Sequence, residues 1–364
     1  MDYVMLKDVC TINMGQSPAS DSYNDEGEGV PFFQGNADFG DRYPITRKWC
    51  SAPTKMAMAD DILISVRAPI GAMNYAKEAC CIGRGLAALT PNKTKVSPEF
   101  IFWCLKGKNH ELNSKGTGST FKAIGRKVLE ETLIPNVPLE KQKKYSDILK
   151  KVYAIIQMHQ HQLQQLDFLV QSRFIELFGD MYLNSKGWPE AKLESMADIV
   201  SGITKGRKTR NEDLIEVPYM AVSNVKDGYI DWTTVKKIEA TQQEIEQYRL
   251  LPDDVLMTEG GDPDKVGRGA IIKEPLENCI HQNHIFRVRL DESVMFPEFF
   301  EEYLQHQRSK CYFLRCAKQT TGIASINMTQ LRALPVLIPP LAEQAEFVSF
   351  KTETDKSKLI LCLP

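Results

Sequence analysis

The chain has 364 residues with 45 Lys and Arg against 47 Asp and Glu, a formal net charge of −2. That length leaves room for two domains with separate cores, and the near-neutral balance excludes holding a polyanion by bulk charge, so any nucleic-acid surface must be a local cluster of Lys and Arg. The opening Met1-Asp2-Tyr3-Val4-Met5-Leu6-Lys7 is not the basic-then-apolar run of a secretory leader, and no run of roughly 18 apolar residues follows. The expectation is a soluble cytoplasmic protein with no membrane partner. Its nine cysteines are scattered with no C-x-x-C pair, which predicts reduced, mostly core thiols rather than disulfides or a metal centre.

In chain order, residues 1–135 read as a mixed domain of short strands, loops and a late helix. Strands are expected over Pro31 to Gln34, Asp61 to Val66 and Gly85 to Leu89, and a helix from Pro98, where proline suits a first turn. The stretch Leu139 to Phe178 contains neither glycine nor proline and carries one apolar stripe. Counted in sevens, Leu149, Ile156, Leu163, Val170 and Leu177 hold one seam, and Tyr145, Val152, His159, Leu166 and Arg173 the other, with Ile148, Ile155 and Leu169 broadening the face. A single helix of that length would run about 60 Å. Asn136-Val137-Pro138 is expected to cap its start and Gly179 to give a left-handed exit.

Residues 181–338 then repeat the signals of the first domain in the same order. Leu6-Lys7-Asp8-Val9 answers to Leu193-Glu194-Ser195-Met196, Val30-Pro31-Phe32 to Val217-Pro218-Tyr219, and Asp60-Asp61-Ile62-Leu63 to Asp253-Asp254-Val255-Leu256. Pro98-Glu99-Phe100 answers to Pro297-Glu298-Phe299, and Pro138-Leu139 with Gln142 to Pro340-Leu341 with Gln344. The expected architecture is α+β: two homologous heads separated by a long central helix, pseudo-twofold, with a C-terminal helix lying antiparallel to the central one. Two similar heads on a spacer suit an extended, two-sided ligand such as duplex DNA.

These residues resemble the specificity (S) subunits of type I restriction-modification systems. The likeness rests, in the first half, on Asp60 to Gly71, Cys81-Ile82-Gly83-Arg84-Gly85 and Gly118 to Ile124. In the second half it rests on Val217 to Met220, Leu256 to Lys265, Gln282 to Val288 and Thr320 to Asn327, with Ile134 to Leu139 and Ile338 to Gln344 joining each head to its helix. The resemblance implies target-recognition domains at 1–137 and 181–339, a central conserved helix at 138–180 and a distal conserved helix at 340–364. It implies a non-catalytic subunit that binds double-stranded DNA at a bipartite site and holds two methyltransferase subunits and the restriction subunits. S-adenosylmethionine, ATP and Mg would then belong to those partners, and no cofactor to this chain. Family members usually carry a full second helix, whereas here the chain ends at Pro364, so the distal helix is expected to be shortened. Part of the central stripe would then lack an intramolecular partner, which predicts self-association or dependence on a partner subunit. A decayed allele that only scaffolds, or the recognition part of a fused restriction or modification enzyme, are the alternatives, although no methyl-donor loop, Walker loop or acidic nuclease cluster is present in the sequence.

Base readout calls for bidentate Arg, Asn and Gln, and phosphate anchoring for Lys, Arg, hydroxyls and backbone amides. In the first head the candidates are Gln34, Asn36, Arg67 and Arg84, with the glycine-rich turn that carries Lys115, Ser119, Thr120 and Lys122. In the second they are the basic run Lys205, Arg207, Lys208 and Arg210, then Asn224, Lys265, Arg268, Asn283, Lys318, Thr320 and Thr321, with Arg315 flanking. Any one of these residues would equally suit a solvated loop. His281-x-x-His284 lacks a third ligand at useful spacing and is expected to be structural or a polar contact. Asp60-Asp61 and Asp253-Asp254 are expected to form turns.

Overall fold

The computed structural model describes the chain apart from residues 1, 119–121, 208–212, 263–264, 321 and 363–364 and the side chains of Thr320 and Cys362. It divides into two compact units, residues 1–158 and 159–364, with the division inside the central helix.

In the first unit, Ile62–Ser65 is buried along its whole length, and its alternate residues serve two different cores. Ile62 and Ile64 face Ile12, Leu89, Phe100 and Ile101, whereas Leu63 faces Phe33, Ile82 and Ala88. A strand apolar on both faces belongs inside a sheet covered on both sides. Accordingly it is the inner partner in an antiparallel four-stranded sheet of order Cys10–Met14, Leu86–Pro91, Ile62–Ser65, Met73–Tyr75. One side carries the helix Pro98–Gly107, and the other a sheet in which Val30–Phe33 and Cys80–Ile82 pair in parallel.

The second unit repeats this plan. Ala197–Ser201, Ile285–Leu290, Val255–Thr258 and Gly269–Ile271 form an antiparallel sheet with equivalent order, and Ile215–Met220 pairs in parallel with Ile280–His281. Val255 and Met257 face Phe286, Val288, Phe299 and Phe300, whereas Leu256 faces Met220, Ile272 and Ile285. The turns that open the inner strands match as well. Asp60 and Asp253 adopt φ of 71° and 66°, and Asp61 and Asp254 accept from the backbone of Met58 (2.8 Å) and Leu251 (2.7 Å).

The central helix runs unbroken from Leu139–Phe178, 40 residues. Pro138 stands just outside it, its carbonyl accepting from Gln142 N at 3.0 Å. The anchoring role expected of Asn136 falls to the buried Gln142 side chain, which accepts from Ser97 N (2.8 Å) and donates to Val137 O (2.7 Å). The C-terminal helix Leu341–Cys362 is anchored in the same way by Gln344, through Phe296 N (3.0 Å) and Pro339 O (2.8 Å). Gly179 exits the central helix at φ 74°, as expected.

Within the second unit the two helices are antiparallel. Phe347 packs on Phe174 and Phe178 (ring centroids 5.2 and 5.8 Å), Arg173 pairs with Glu346, and Lys358 reaches Asp167 at 2.9 Å. The seam differs from the heptad expectation here. Val170, Phe174 and Phe178 point inward, and Phe174 and Phe178 pack on Phe299. They follow the i, i+4, i+8 spacing of a helix docked on a globular core, which leaves Arg173 at the rim. Further back, Tyr145, Ile148, Leu149, Val152, Ile155 and Ile156 remain 41–50% exposed. Among the described side chains the cysteines are free thiols, and Cys10, Cys50, Cys80, Cys81 and Cys279 are buried. Among the described residues no helix is long and apolar enough to cross a membrane.

Candidate nucleic-acid interface

In the first head four separated segments converge on one cleft of about 230 Å³, lined by Ser17, Gln34, Asn36, Ser65, Arg67 and Arg84 together with Gly35 and Gly85. Gln34 and Asn36 follow the strand Val30–Phe33, in a turn held by Asp38, whose carboxylate accepts from Gln34 N at 2.7 Å. The Gly83-Arg84-Gly85 turn lies against that segment through Gly83 N to Phe33 O (2.8 Å) and Gly85 N to Gln34 O (3.1 Å). The approach needs glycine: a Cβ on Gly85 would lie 2.2 Å from the Gln34 carbonyl oxygen. Arg84 is left exposed, its backbone N and its Nε each 3.4 Å from Ser17 Oγ. Arg67 is exposed at the end of Ile62–Ser65, its carbonyl accepting from Ser65 Oγ at 2.8 Å.

The glycine-rich turn runs alongside. Ala68 N donates to Lys122 O at 3.1 Å, and Ala123 pairs with both Arg67 and Thr117. Lys122 is exposed. Lys115 is tied to Glu111 at 2.6 Å, and Lys108 and Lys115 hold that carboxylate below its ordinary range. Ser119 and Thr120 lie outside the described residues.

The second head places a cleft of about 370 Å³ at the corresponding position, lined by Val222, Glu259, Gly260, His284 and Ser325. Among the described residues, none of those expected from the sequence lines it. Asn224 is fully buried, its amide taken up by Ala221 N (3.0 Å), Asp231 O (2.9 Å) and Thr234 Oγ1 (3.2 Å). It shapes a turn, as Asp38 does in the first head, and offers nothing to a ligand. Arg207 is bound to Glu244 through Nε and Nη2 and reaches Glu239 O at 3.2 Å. It therefore buttresses the capped helix Gln242–Tyr248 and does not stand free in a basic patch. Lys205 is exposed, with no ion-pair partner among the described residues, and Lys208 and Arg210 lie outside them.

Lys265 pairs with Asp262, and Arg268 is half-buried. Asn283 is half-buried beside the cleft, its amide nitrogen 3.4 Å from His284 Nε2. Lys318 is exposed on Lys318–Thr320, opposite Ser325 of the cleft, while Thr321 lies outside the described residues. Arg315 contacts the Tyr182 hydroxyl at 3.1 Å. Glu259 and His284, whose side chains meet through Oε2 and Nδ1, are not among the sequence candidates, although they stand where Val66 and Gly85 stand in the first copy.

His281 is fully buried, with Nδ1 3.1 Å from the Tyr248 carbonyl oxygen, and burial pushes its pKa down to about 4. Its role is structural. Among the described residues no cluster of three His, Cys, Asp or Glu is placed to hold a metal ion.

Comparison with known proteins places these features in a family. A putative type I restriction enzyme MjaX specificity subunit of Methanocaldococcus jannaschii is 46% identical over 156 residues, which are 43% of this chain and 37% of that protein. The type I restriction enzyme EcoKI specificity subunit of Escherichia coli is 23% identical over 284 residues, 74% of this chain and 61% of that one. The chain thus spans less than two thirds of the length of both relatives. The crystal structure of a type I restriction-modification S subunit from M. genitalium shares the fold over 99% of this chain and 90% of its own, with a TM-score of 0.56 at 13% identity. Residues 1–167 and 185–361 both match the type I restriction modification DNA specificity domain, and the chain belongs to that family.

Proposed function

We propose that this chain is the non-catalytic DNA-reading subunit of a type I restriction-modification complex, each head contacting one half of a bipartite duplex site. The observation that carries this reading is the first cleft, in which Gln34, Asn36, Arg67 and Arg84 meet although the sequence separates them widely. Arginine suits the O6 and N7 acceptors of guanine, and the two amides suit adenine N6 and N7. Lys122 beside the cleft suits a phosphate.

Methyltransferase and restriction subunits supply the chemistry in this reading, with S-adenosylmethionine, ATP and Mg bound by them. The open stripe from Tyr145 to Ile156 supports a partner on the central helix, since apolar faces of this kind mark interaction surfaces. The same stripe favours a second reading in which two copies of the chain pair through it. Light scattering of the chain alone and with methyltransferase separates the two: a dimer that methyltransferase does not dissolve supports pairing, whereas a monomer that takes up methyltransferase supports the first. For DNA reading, the test is duplex binding by the complex with Arg67→Ala and Arg84→Ala. Each change should weaken binding roughly fivefold or more, at about 1–3 kcal/mol per base contact, and unchanged affinity in both would overturn the proposal.

A further inference from the structure

The two heads build their clefts on matching backbone and line them with opposite chemistry. In the first, Val66 N donates to Gly85 O (2.9 Å) and Ile124 N to Val66 O (2.9 Å). In the second, Glu259 N donates to His284 O (3.0 Å) and Ile326 N to Glu259 O (2.8 Å). These bonds equate Val66 with Glu259 and Gly85 with His284, and hence the neighbours Arg67 with Gly260 and Arg84 with Asn283. Where the first head offers two exposed guanidinium groups, the second offers a carboxylate and an imidazole.

The carboxylate is held in place. His284 Nδ1 pairs with Glu259 Oε2, and the Asn283 amide nitrogen stands 3.4 Å from His284 Nε2. With the amide donating to Nε2, the ring proton sits on Nδ1 and points at Glu259. The other oxygen of Glu259 has no hydrogen-bond partner among the described residues, and the side chain is about one-third exposed beside the cleft. An ionised carboxylate is acceptor-only. A phosphate, or the O6 and N7 edge of guanine, brings it nothing but repulsion, whereas an exocyclic amino group brings a proton: N4 of cytosine or N6 of adenine in the major groove.

We infer, resting on the DNA-reading function proposed above, that Glu259 is a specificity-determining residue of the second head. It selects a base that presents an exocyclic amine, with His284 as its positioning residue. The test is selection from a duplex library randomised in both half-sites, using the full chain bound to its methyltransferase. Wild type should enrich cytosine or adenine at one position of one half, and the enriched base itself says which.

Glu259→Gln, which can donate as well as accept, should lower that enrichment at least tenfold and leave the other half unchanged, so the unaffected half reports that the variant is folded. His284→Ala should weaken the same position, and His284→Asn, which keeps a donor near Nδ1, should restore it. A Glu259→Gln profile identical to wild type at every position overturns the assignment and leaves DNA reading intact. A wild-type chain that enriches no sequence overturns both.

Discussion

Replacing Gly85 by alanine probes the first cleft without removing any group that would touch DNA. A Cβ there would sit 2.2 Å from the Gln34 carbonyl oxygen, about 1 Å inside the shortest comfortable C–H···O approach. The colliding atom is backbone, so relief requires moving the Gln34 segment and losing the 3.1 Å bond from Gly85 N to Gln34 O. Overpacking of this kind costs about 1–3 kcal/mol and the lost bond about 1 more, against a domain stability of only about 5–15 kcal/mol. A shift of Gln34 by roughly 1 Å relative to Arg67 and Arg84 removes about one bidentate contact, so affinity for the selected duplex should fall on the order of 10- to 100-fold. The assay is anisotropy titration of a labelled duplex by the complex at fixed salt, because phosphate contacts make affinity salt-dependent. Gly125→Ala is the matched control, since its Cβ would meet no atom within 4 Å, and it should bind within about twofold of wild type. Gly85→Ala binding as tightly as the control would refute the convergence of these segments on DNA.

Three further outcomes follow from the geometry. Arg207→Ala should destabilise the second head by about 1–3 kcal/mol through loss of the Glu244 pair, yet leave the salt slope of DNA binding unchanged. Lys122→Ala, at the residue placed for a phosphate, should flatten that slope, and a flattened slope in Arg207→Ala would return that residue to the interface. Phe174→Ala, at a 2% exposed ring packed on Phe178, Phe299 and Phe347, should cost about 3–5 kcal/mol and lower the melting temperature by on the order of 10 °C in calorimetry. No measurable shift would mean the helix is not docked there. His281 binds its proton in the unfolded chain near pH 6.5 but only near pH 4 when folded. Its contribution to stability is therefore complete above pH 6.5 and declines as pH falls from there to about 4. Urea titrations across that window should show a shallower decline in His281→Gln than in wild type, and equal slopes would contradict the buried neutral ring.

Much of the fold was legible because its signals are local. A stretch free of glycine and proline with one apolar stripe gives a helix, and paired aspartates before apolar runs mark the same turn in both copies. Gln34, Arg67 and Arg84 could be proposed one at a time, since each lies in or next to a turn or strand end. Their convergence was not legible, because it depends on sheet order and on backbone contacts such as that at Gly85. The failures are non-local in the same sense. Arg207 reads as part of a basic run until the fold brings Glu244 to it, and Asn224 reads as a surface amide until its turn closes over it. A heptad count misses Phe174 and Phe178 because it assumes a helical partner, where half of this helix packs on a head. Glu259 and His284 would have emerged from aligning the two copies at Val66 and Gly85.

The most direct measurement of the central claim is to sequence the methylated sites in a host that carries this chain with its methyltransferase. Two short specified half-sites separated by a fixed unspecified gap are expected, with Arg67→Ala relaxing one half and Glu259→Gln the other. A single contiguous motif, or a split motif in which both substitutions relax the same half, would contradict one head reading each half.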